Sequence, residues 1–315
     1  MNKYRGRLPQ LDGGLFLTDG GIETTLVFHE GLDLPYFAAF DLLRTPAGRQ
    51  TLRRYFERYI AIAHAQDAGF VLESPTWRAS ADWGEKLGYS REALAAANRD
   101  AIALMGELRD AHEKPAMPMV ISGCVGPRGD GYDPDSSMSA TEAQAYHAEQ
   151  IRTFSETEAD MVTAITMTNA EEAIGLARAA QECGMPVAIS FTVETDGRLP
   201  TGQSLEDAIE AVDAATQSAP AYYMINCAHP IHFATTLAAG AAWCERLRGL
   251  RANASKRSHA ELNEAPDLDD GDPEELGRQY RDLLTRHRQL NVLGGCCGTD
   301  HRHVEQIALS CKTAA

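Results

Sequence analysis

Close to its C-terminus the 315-residue chain reads Val292-Leu293-Gly294-Gly295-Cys296-Cys297-Gly298-Thr299-Asp300. Two apolar residues are followed by two glycines and two adjacent cysteines. A helical pattern begins directly after this segment. Neighbouring side chains of a strand point to opposite faces, so both sulfur atoms reach one ion only if the backbone leaves strand geometry there. The flanking glycines permit this departure because they adopt torsions that a Cβ forbids.

A third cysteine, Cys227, ends another apolar run at residues 222–226. Three thiolates from two strand ends form a soft site that suits Zn²⁺ and leaves a fourth position for a substrate. Two other interpretations stay open at this point. A single cysteine such as Cys227 is commonly a small core residue, and the adjacent pair Cys296-Cys297 also fits a thiol-redox site.

Around these segments, short β-branched runs alternate with longer amphipathic stretches, a pattern that predicts βα units and a parallel sheet. The predicted strands are 15–19, 70–75, 118–124, 160–166, 186–192, 221–227, 249–254 and 290–295. The predicted helices are 47–68, 91–112, 139–158, 170–183, 204–217, 231–247, 273–289 and 301–311. Eight of each predict an α/β fold that closes as a (β/α)₈ TIM barrel, one domain over residues 1–315.

Composition narrows the class of protein further. With 45 acidic and 29 basic residues the formal net charge is −16, which disfavours nucleic acid and anionic membranes as partners. No apolar run approaches the roughly 20 residues of a membrane span, and no hydrophobic signal region follows the basic start. Seven irregularly spaced cysteines indicate reduced thiols. We therefore expect a cytoplasmic enzyme that acts on small molecules, and a homo-oligomer is compatible with this composition.

Two polar stretches interrupt the repeating pattern. Residues 126–137 are rich in Gly, Pro and Asp and are predicted to lie over the mouth of the barrel. Residues 255–272 are the most polar part of the chain and are predicted to form a mobile insertion. The acidic run within them, 267–272, is predicted to be a solvated loop and a helix N-terminus rather than a metal site.

Several segments share their pattern with one known family. They are Thr18-Asp19-Gly20-Gly21, Ser122-Gly123-Cys124-Val125-Gly126-Pro127, Ser190-Phe191-Thr192 with Asp196-Gly197-Arg198-Leu199 and Gly202, Ile225-Asn226-Cys227, and Gly294-Gly295-Cys296-Cys297-Gly298-Thr299. In this order they resemble the signature of the homocysteine S-methyltransferase family, over nearly the whole chain. The resemblance implies a (β/α)₈ barrel that binds zinc through Cys227, Cys296 and Cys297.

The resemblance also implies a reaction. A methyl group would pass from a small onium donor (S-methylmethionine, S-adenosylmethionine or a betaine) to a thiol, with homocysteine as the acceptor and methionine as the product. No catalytic residue is expected beyond the metal ligands. Three alternatives stay open: another thiol or selenol acceptor, a demethylase that feeds a corrinoid carrier, and a zinc-binding or thiol-redox protein without turnover.

Positions at strand ends predict the substrate-binding residues, which are Asp19, Glu23, Glu73, Ser74, Thr76, Trp77 and Asn226. Asp19 resembles the family's carboxylate that holds the amino group of homocysteine, although an Asp before Gly-Gly also forms turns. Trp77 could face an onium methyl group, although core packing is the commoner role of a tryptophan. Asn226 is expected to orient the backbone beside Cys227.

One position departs from the family pattern. After the fourth strand the family usually has a glutamate that helps to bind the substrate amine, and this chain has Ile165. Two acids at other strand ends, Glu23 and Glu73, are expected near the same mouth. Our hypothesis is that one of them replaces the missing carboxylate.

Overall fold

A computed structural model describes residues 2–129, 131, 138–237, 241–265 and 267–312. Within them eight parallel strands pair in sequence order, and the first pairs with the eighth to close the barrel. The strands are β1 (Phe16–Leu17), β2 (Gly69–Glu73), β3 (Met119–Val125), β4 (Met161–Met167), β5 (Val187–Thr192), β6 (Tyr222–Asn226), β7 (Leu247–Ala252) and β8 (Val292–Gly295). This architecture confirms the predicted (β/α)₈ barrel.

The helices surround this sheet. They are α1 (Pro46–Ala65), α2 (Ala81–Lys86), α3 (Arg91–His112), α4 (Ala140–Ser155), α5 (Ala170–Glu182), α6 (Leu205–Thr216), α7 (Pro230–Phe233), α8 (His259–Asn263), α9 (Pro273–Arg286) and α10 (His301–Cys311). No helix of the described residues is long and apolar enough to span a bilayer.

Alternation along the strands divides the apolar residues between two cores. Side chains such as Phe70, Leu72 and Ile121 belong to the larger core, in which the sheet packs against the helices. Their neighbours Val71 and Val120 belong to a separate cluster, which we assign to the barrel interior because successive strand residues point to opposite faces.

The inward-pointing positions change character towards the carboxyl ends of the strands. Two residues after the interior apolar positions the same face carries polar side chains. These are Glu73, Ser122, Thr163, Ser190, Asn226 and Arg251. Buried polar groups need partners, so this ring of residues prepares one end of the barrel for a site. In barrels of this kind that end is where active sites lie.

One predicted element is wrong. The predicted helix 231–247 is replaced by the short helix α7 and a 3₁₀ turn, Ala242–Arg246, and residues 238–240 lie outside the described part. The alanine-rich sequence has a high intrinsic helix propensity, but Leu247 already pairs with Tyr223 in the sheet. Closure of the barrel therefore overrides the local preference.

The structure tests the prediction for only one of the two polar stretches, residues 126–137 and 255–272. Residues 130 and 132–137 of the predicted mouth loop lie outside the described residues. The contacts of the segment 255–272 do not support a mobile insertion, because it contains α8 and Ser255 donates a hydrogen bond to Asp269 at 2.7 Å. Asp272 caps the N-terminus of α9, as the acidic run predicted.

Candidate active site

Three cysteine sulfur atoms meet at the carboxyl end of the barrel. Those of Cys227, Cys296 and Cys297 all lie within 4.8 Å of one another, which is a group that can hold a metal ion. The sulfur atoms of Cys227 and Cys296 are in direct contact, and their Cα atoms are 5.4 Å apart. Cys297 Sγ lies 3.9 Å from Cys227 Sγ. The cysteines that the sequence singled out are therefore brought together.

The backbone leaves strand geometry at both ends of this cluster, as the sequence predicted. Cys227 adopts a left-handed conformation with φ of 53°, and Gly298 does so with φ of 77°. Gly294 is required by close approach, because a Cβ there would collide with Thr18 Oγ1. Thr299 then donates its hydroxyl proton to the carbonyl of Cys296 at 2.7 Å. These features hold the adjacent cysteines in a tight turn.

Asn226 supports the cluster from β6. Its Oδ1 accepts hydrogen bonds from Thr166 N at 2.9 Å and from Ser190 Oγ at 2.6 Å. Its Nδ2 donates to Thr166 Oγ1 at 2.8 Å and lies 4.0 Å from Cys296 Sγ. Thr166 is held at φ of 67°, which is strained for a β-branched residue. Asn226 thus orients its surroundings and does not line the neighbouring cavity.

A cavity of about 320 Å³ opens beside the three sulfur atoms. Among the predicted substrate-binding residues, those on its wall are Asp19, Glu23, Glu73, Ser74 and Trp77. Thr76 is fully buried away from the cavity, and its hydroxyl donates to the carbonyl of Cys124 at 2.7 Å. The wall also contains Ile165 and two exposed aromatic residues, Phe28 and Phe37.

An ion pair lies buried in the wall of the cavity. Arg251 Nη2 donates to Asp19 Oδ1 at 2.8 Å, and the hydroxyl of Tyr55 donates to Asp19 Oδ2 at 2.8 Å. Burial lowers the pKa of Arg251, but the carboxylates of Asp19 and Glu73 outweigh it and leave that pKa above its ordinary value. The guanidinium therefore stays charged and offsets the charge of Asp19.

Two other acids of the cavity wall, Glu23 and Glu73, are poorly solvated. Burial raises the pKa of Glu23 and that of Glu73 to about 7. Glu73 Oε1 accepts a hydrogen bond from Thr163 at 2.8 Å, whereas Oε2 is buried and has no hydrogen-bond partner among the described residues. A carboxylate oxygen in that state is costly.

This burial predicts a pH dependence of stability. The folded-state pKa of Glu73, about 7, exceeds the ordinary value of 4.5, so the folded protein binds the extra proton between these values. Stability should therefore fall as pH rises across this window, and Glu73→Gln should remove that loss. We expect the difference in free energy of unfolding, variant minus wild type, to increase by about 2 to 3 kcal/mol as the pH rises from about 5 to about 8. Urea unfolding across this range measures the gain, and parallel curves for the two proteins would contradict it.

Trp77 makes contacts that bear on its predicted role. Its indole N–H donates to the carbonyl of Ile165 at 3.3 Å, which fixes the ring against β4. The guanidinium of Arg78 lies 4.0 Å from the centroid of the Trp77 ring and 3.9 Å from that of Trp83. The protein's own cation thus occupies one face of Trp77, and an onium group would need the other.

Several residues around the site were not predicted from the sequence, among them Tyr55, Arg251 and His259. Tyr55 lies on the core face of α1, where its pattern is that of an ordinary packing residue. Arg251 is a charged residue within β7, and a charge at that position could have indicated a role in the site. His259, on α8, contacts the carbonyl of Cys227 through Nε2, and its Nδ1 lies 3.2 Å from Glu194 Oε1.

The other four cysteines and His229 lie outside the sulfur cluster. His229 caps α7 by accepting a hydrogen bond from the backbone of Ile231. Cys124 lines the cavity without joining the sulfur cluster. Cys183, Cys244 and Cys311 lie at the end of α5, in the 3₁₀ turn and at the end of α10.

Fold and site together define a (β/α)₈ barrel with a three-cysteine centre at the carboxyl ends of its strands. The sequence profile of the homocysteine S-methyltransferase family matches residues 16–311. The chain therefore belongs to the homocysteine S-methyltransferase family, and it is an enzyme of the methyltransferase class.

Solved structures show the same fold at low sequence identity. The oxidized form of the homocysteine methyltransferase MmuM from Escherichia coli superimposes with a TM-score of 0.76 and 19% identity, covering 94% of this chain and 96% of that one. The metallated form of MmuM gives a TM-score of 0.71 and 18% identity, covering 96% and 98%. No curated protein matches the sequence of the chain.

Proposed function

We propose that the protein is a zinc-dependent methyltransferase that moves a methyl group from a small onium donor to a thiol. Homocysteine is the proposed acceptor and methionine the product. The observation that carries this proposal is the convergence of three sulfur atoms within 4.8 Å beside a cavity of about 320 Å³. Because these thiols must stay reduced to bind a metal, the enzyme would act in the cytoplasm.

The donor set fits zinc with one open position. Thiolate sulfur is a preferred ligand of Zn²⁺, and structural zinc sites usually have four protein ligands. Among the described residues no fourth His, Cys, Asp or Glu joins Cys227, Cys296 and Cys297. Bound zinc would lower the pKa of an acceptor thiol from about 8.5, so that its thiolate is present at neutral pH.

The residues of the chain would hold both substrates in a water-poor cavity. Phe28, Phe37 and Ile165 give the wall apolar surface. The thiolate sulfur takes the methyl carbon while the donor keeps the electron pair of the broken bond, so a negative and a positive charge cancel. A dry environment favours a reaction in which charge is lost. Aromatic faces at the mouth would also attract the positive charge of the donor.

Other acceptors and another class of protein compete with this assignment. Ile165, in place of the family's glutamate, favours the alternatives with another thiol or selenol, or with a corrinoid-linked demethylation. The contact between Cys227 and Cys296 favours a zinc-binding or thiol-redox protein without turnover, because their Cα separation of 5.4 Å is one that a disulfide spans. Consumption of a thiol that depends on a methyl donor separates an enzyme from such a protein.

The decisive experiment is metal analysis of the reduced protein followed by zinc-edge X-ray absorption. We expect about one zinc per chain, with three sulfur neighbours that become four when homocysteine is added. A screen of S-methylmethionine, S-adenosylmethionine and betaine should then yield methionine with at least one donor. A reduced protein that binds no zinc would contradict the proposal, and so would zinc without donor-dependent loss of any thiol.

A further inference from the structure

We infer that Glu73 forms the subsite for the ammonium group of the acceptor thiol. The inference rests on the proposed thiol methyl transfer and specifies its acceptor as an amino thiol. It concerns how this chain recognises that amine with Ile165, on β4, at the position where the family usually has a glutamate.

The carboxylate expected to bind the amine is already engaged within the protein. Asp19 accepts hydrogen bonds on both oxygens, from Arg251 at 2.8 Å and from Tyr55 at 2.8 Å. The guanidinium also offsets the negative charge of Asp19 at close range. An ammonium group placed at Asp19 would therefore meet a carboxylate whose charge the guanidinium of Arg251 already offsets.

β4 has no carboxylate at the position of Ile165 that could bind the amine in place of Asp19. Ile165 lines the cavity with an apolar side chain, and its carbonyl is used by Trp77. Glu23 also lies on the cavity wall, but its carboxylate already has a backbone hydrogen bond and the positive charges of Arg78 and Arg251 acting on it. Two further acids line the cavity, but Asp267 is exposed to solvent and Asp269 is already bonded to Ser255 and Arg257.

Glu73 is the acid that these contacts leave incompletely satisfied. It lines the cavity, its side chain is only 5% exposed, and its Oε2 has no partner among the described residues. Arg251 carries one positive charge and is near both Asp19 and Glu73. The three groups together keep one negative charge when ionised, which an ammonium group would neutralise while donating to Oε2.

The test compares two thiols that differ only in the amine. L-homocysteine has the amino group, whereas 4-sulfanylbutanoate keeps the thiol, the chain length and the carboxylate without it. Dissociation constants are measured calorimetrically on the zinc-loaded protein in the absence of any methyl donor. We expect wild type to prefer homocysteine, and Glu73→Gln to weaken homocysteine binding by about tenfold or more with less than about a threefold change for 4-sulfanylbutanoate.

A matched control separates this effect from a general disturbance of a buried glutamate. Glu172 is buried to a similar degree, accepts a hydrogen bond from the backbone of Arg128, and lies outside the cavity. Glu172→Gln should leave the ratio of the two dissociation constants at its wild-type value. Should Glu73→Gln fail to fold, Glu73→Asp keeps the charge at a shorter reach and should weaken homocysteine alone.

Other results would overturn the inference. Equal weakening of both thiols by Glu73→Gln would make Glu73 a structural residue, and an unchanged ratio would place the amine elsewhere. Loss of the preference in Glu23→Gln instead would move the subsite to Glu23. Failure of the proposed function has a different signature, because wild-type protein would then bind neither thiol at its zinc site.

Discussion

Cys296→Ala should lower the affinity of the protein for zinc on the order of 100-fold or more and remove detectable methyl transfer. The substitution leaves two thiolates where three converge within 4.8 Å. It also removes the sulfur atom beside which the amide of Asn226 is fixed, at 4.0 Å. Competition with a chromophoric chelator measures the affinity, and methionine formation measures the transfer.

Cys183→Ser is the matched control, because this cysteine lies at the end of α5, far along the chain from the cluster and outside the cavity wall. It should keep the zinc content and activity of wild type. If Cys296→Ala retained zinc as tightly as Cys183→Ser, the three cysteines would not be the ligands. Activity that survived with the zinc lost would exclude a zinc-dependent transfer.

Arg251→Met should destabilise the zinc-free, reduced protein by about 3 to 5 kcal/mol. The side chains of Arg251 and Asp19 are 9% and 5% exposed, so the substitution leaves a carboxylate buried without its counter-ion. Glu73 loses the same neighbouring cation. Equilibrium unfolding in urea gives the free energy, and the double variant Asp19→Asn/Arg251→Met should recover a substantial part of the loss.

A second ion pair provides the comparison. Arg246 pairs with Asp213 at 2.8 Å, but these side chains are 30% and 18% exposed. Solvent screens this pair, so Arg246→Met should cost about 1 kcal/mol or less. Equal losses for Arg251→Met and Arg246→Met would show that the ion pair in the cavity is not the buried charge pair inferred from its geometry.

The barrel and the cysteine cluster were predictable because they depend on local patterns. Apolar runs that end in glycine or cysteine place residues such as Cys227 and Cys296 at the same edge of a parallel sheet, whatever the details of packing. The inward polar face of the strands was also implicit in their alternation, which carries Glu73 and Asn226 to the interior.

The remaining parts of the site depend on contacts between distant segments, which no local pattern encodes. Tyr55 comes from a helix after the first strand and bonds to Asp19 only because α1 packs beside it. His259 lies in the polar stretch 255–272, which was predicted to be a mobile insertion, yet it contacts the carbonyl of Cys227. β7 is less apolar than the other strands in part because its Arg251 lines the cavity and does not pack in the core.

The pairing of the first strand with the eighth has a consequence for how the protein matures. Cys296 and Cys297 directly follow β8, whereas Cys227 follows β6, and β8 is the strand that completes the ring against β1. A growing polypeptide on the ribosome has no three-thiol site until this last strand has emerged and docked. Metal would therefore bind only after the barrel has closed, and its binding free energy would stabilise only chains in which β8 has docked against β1.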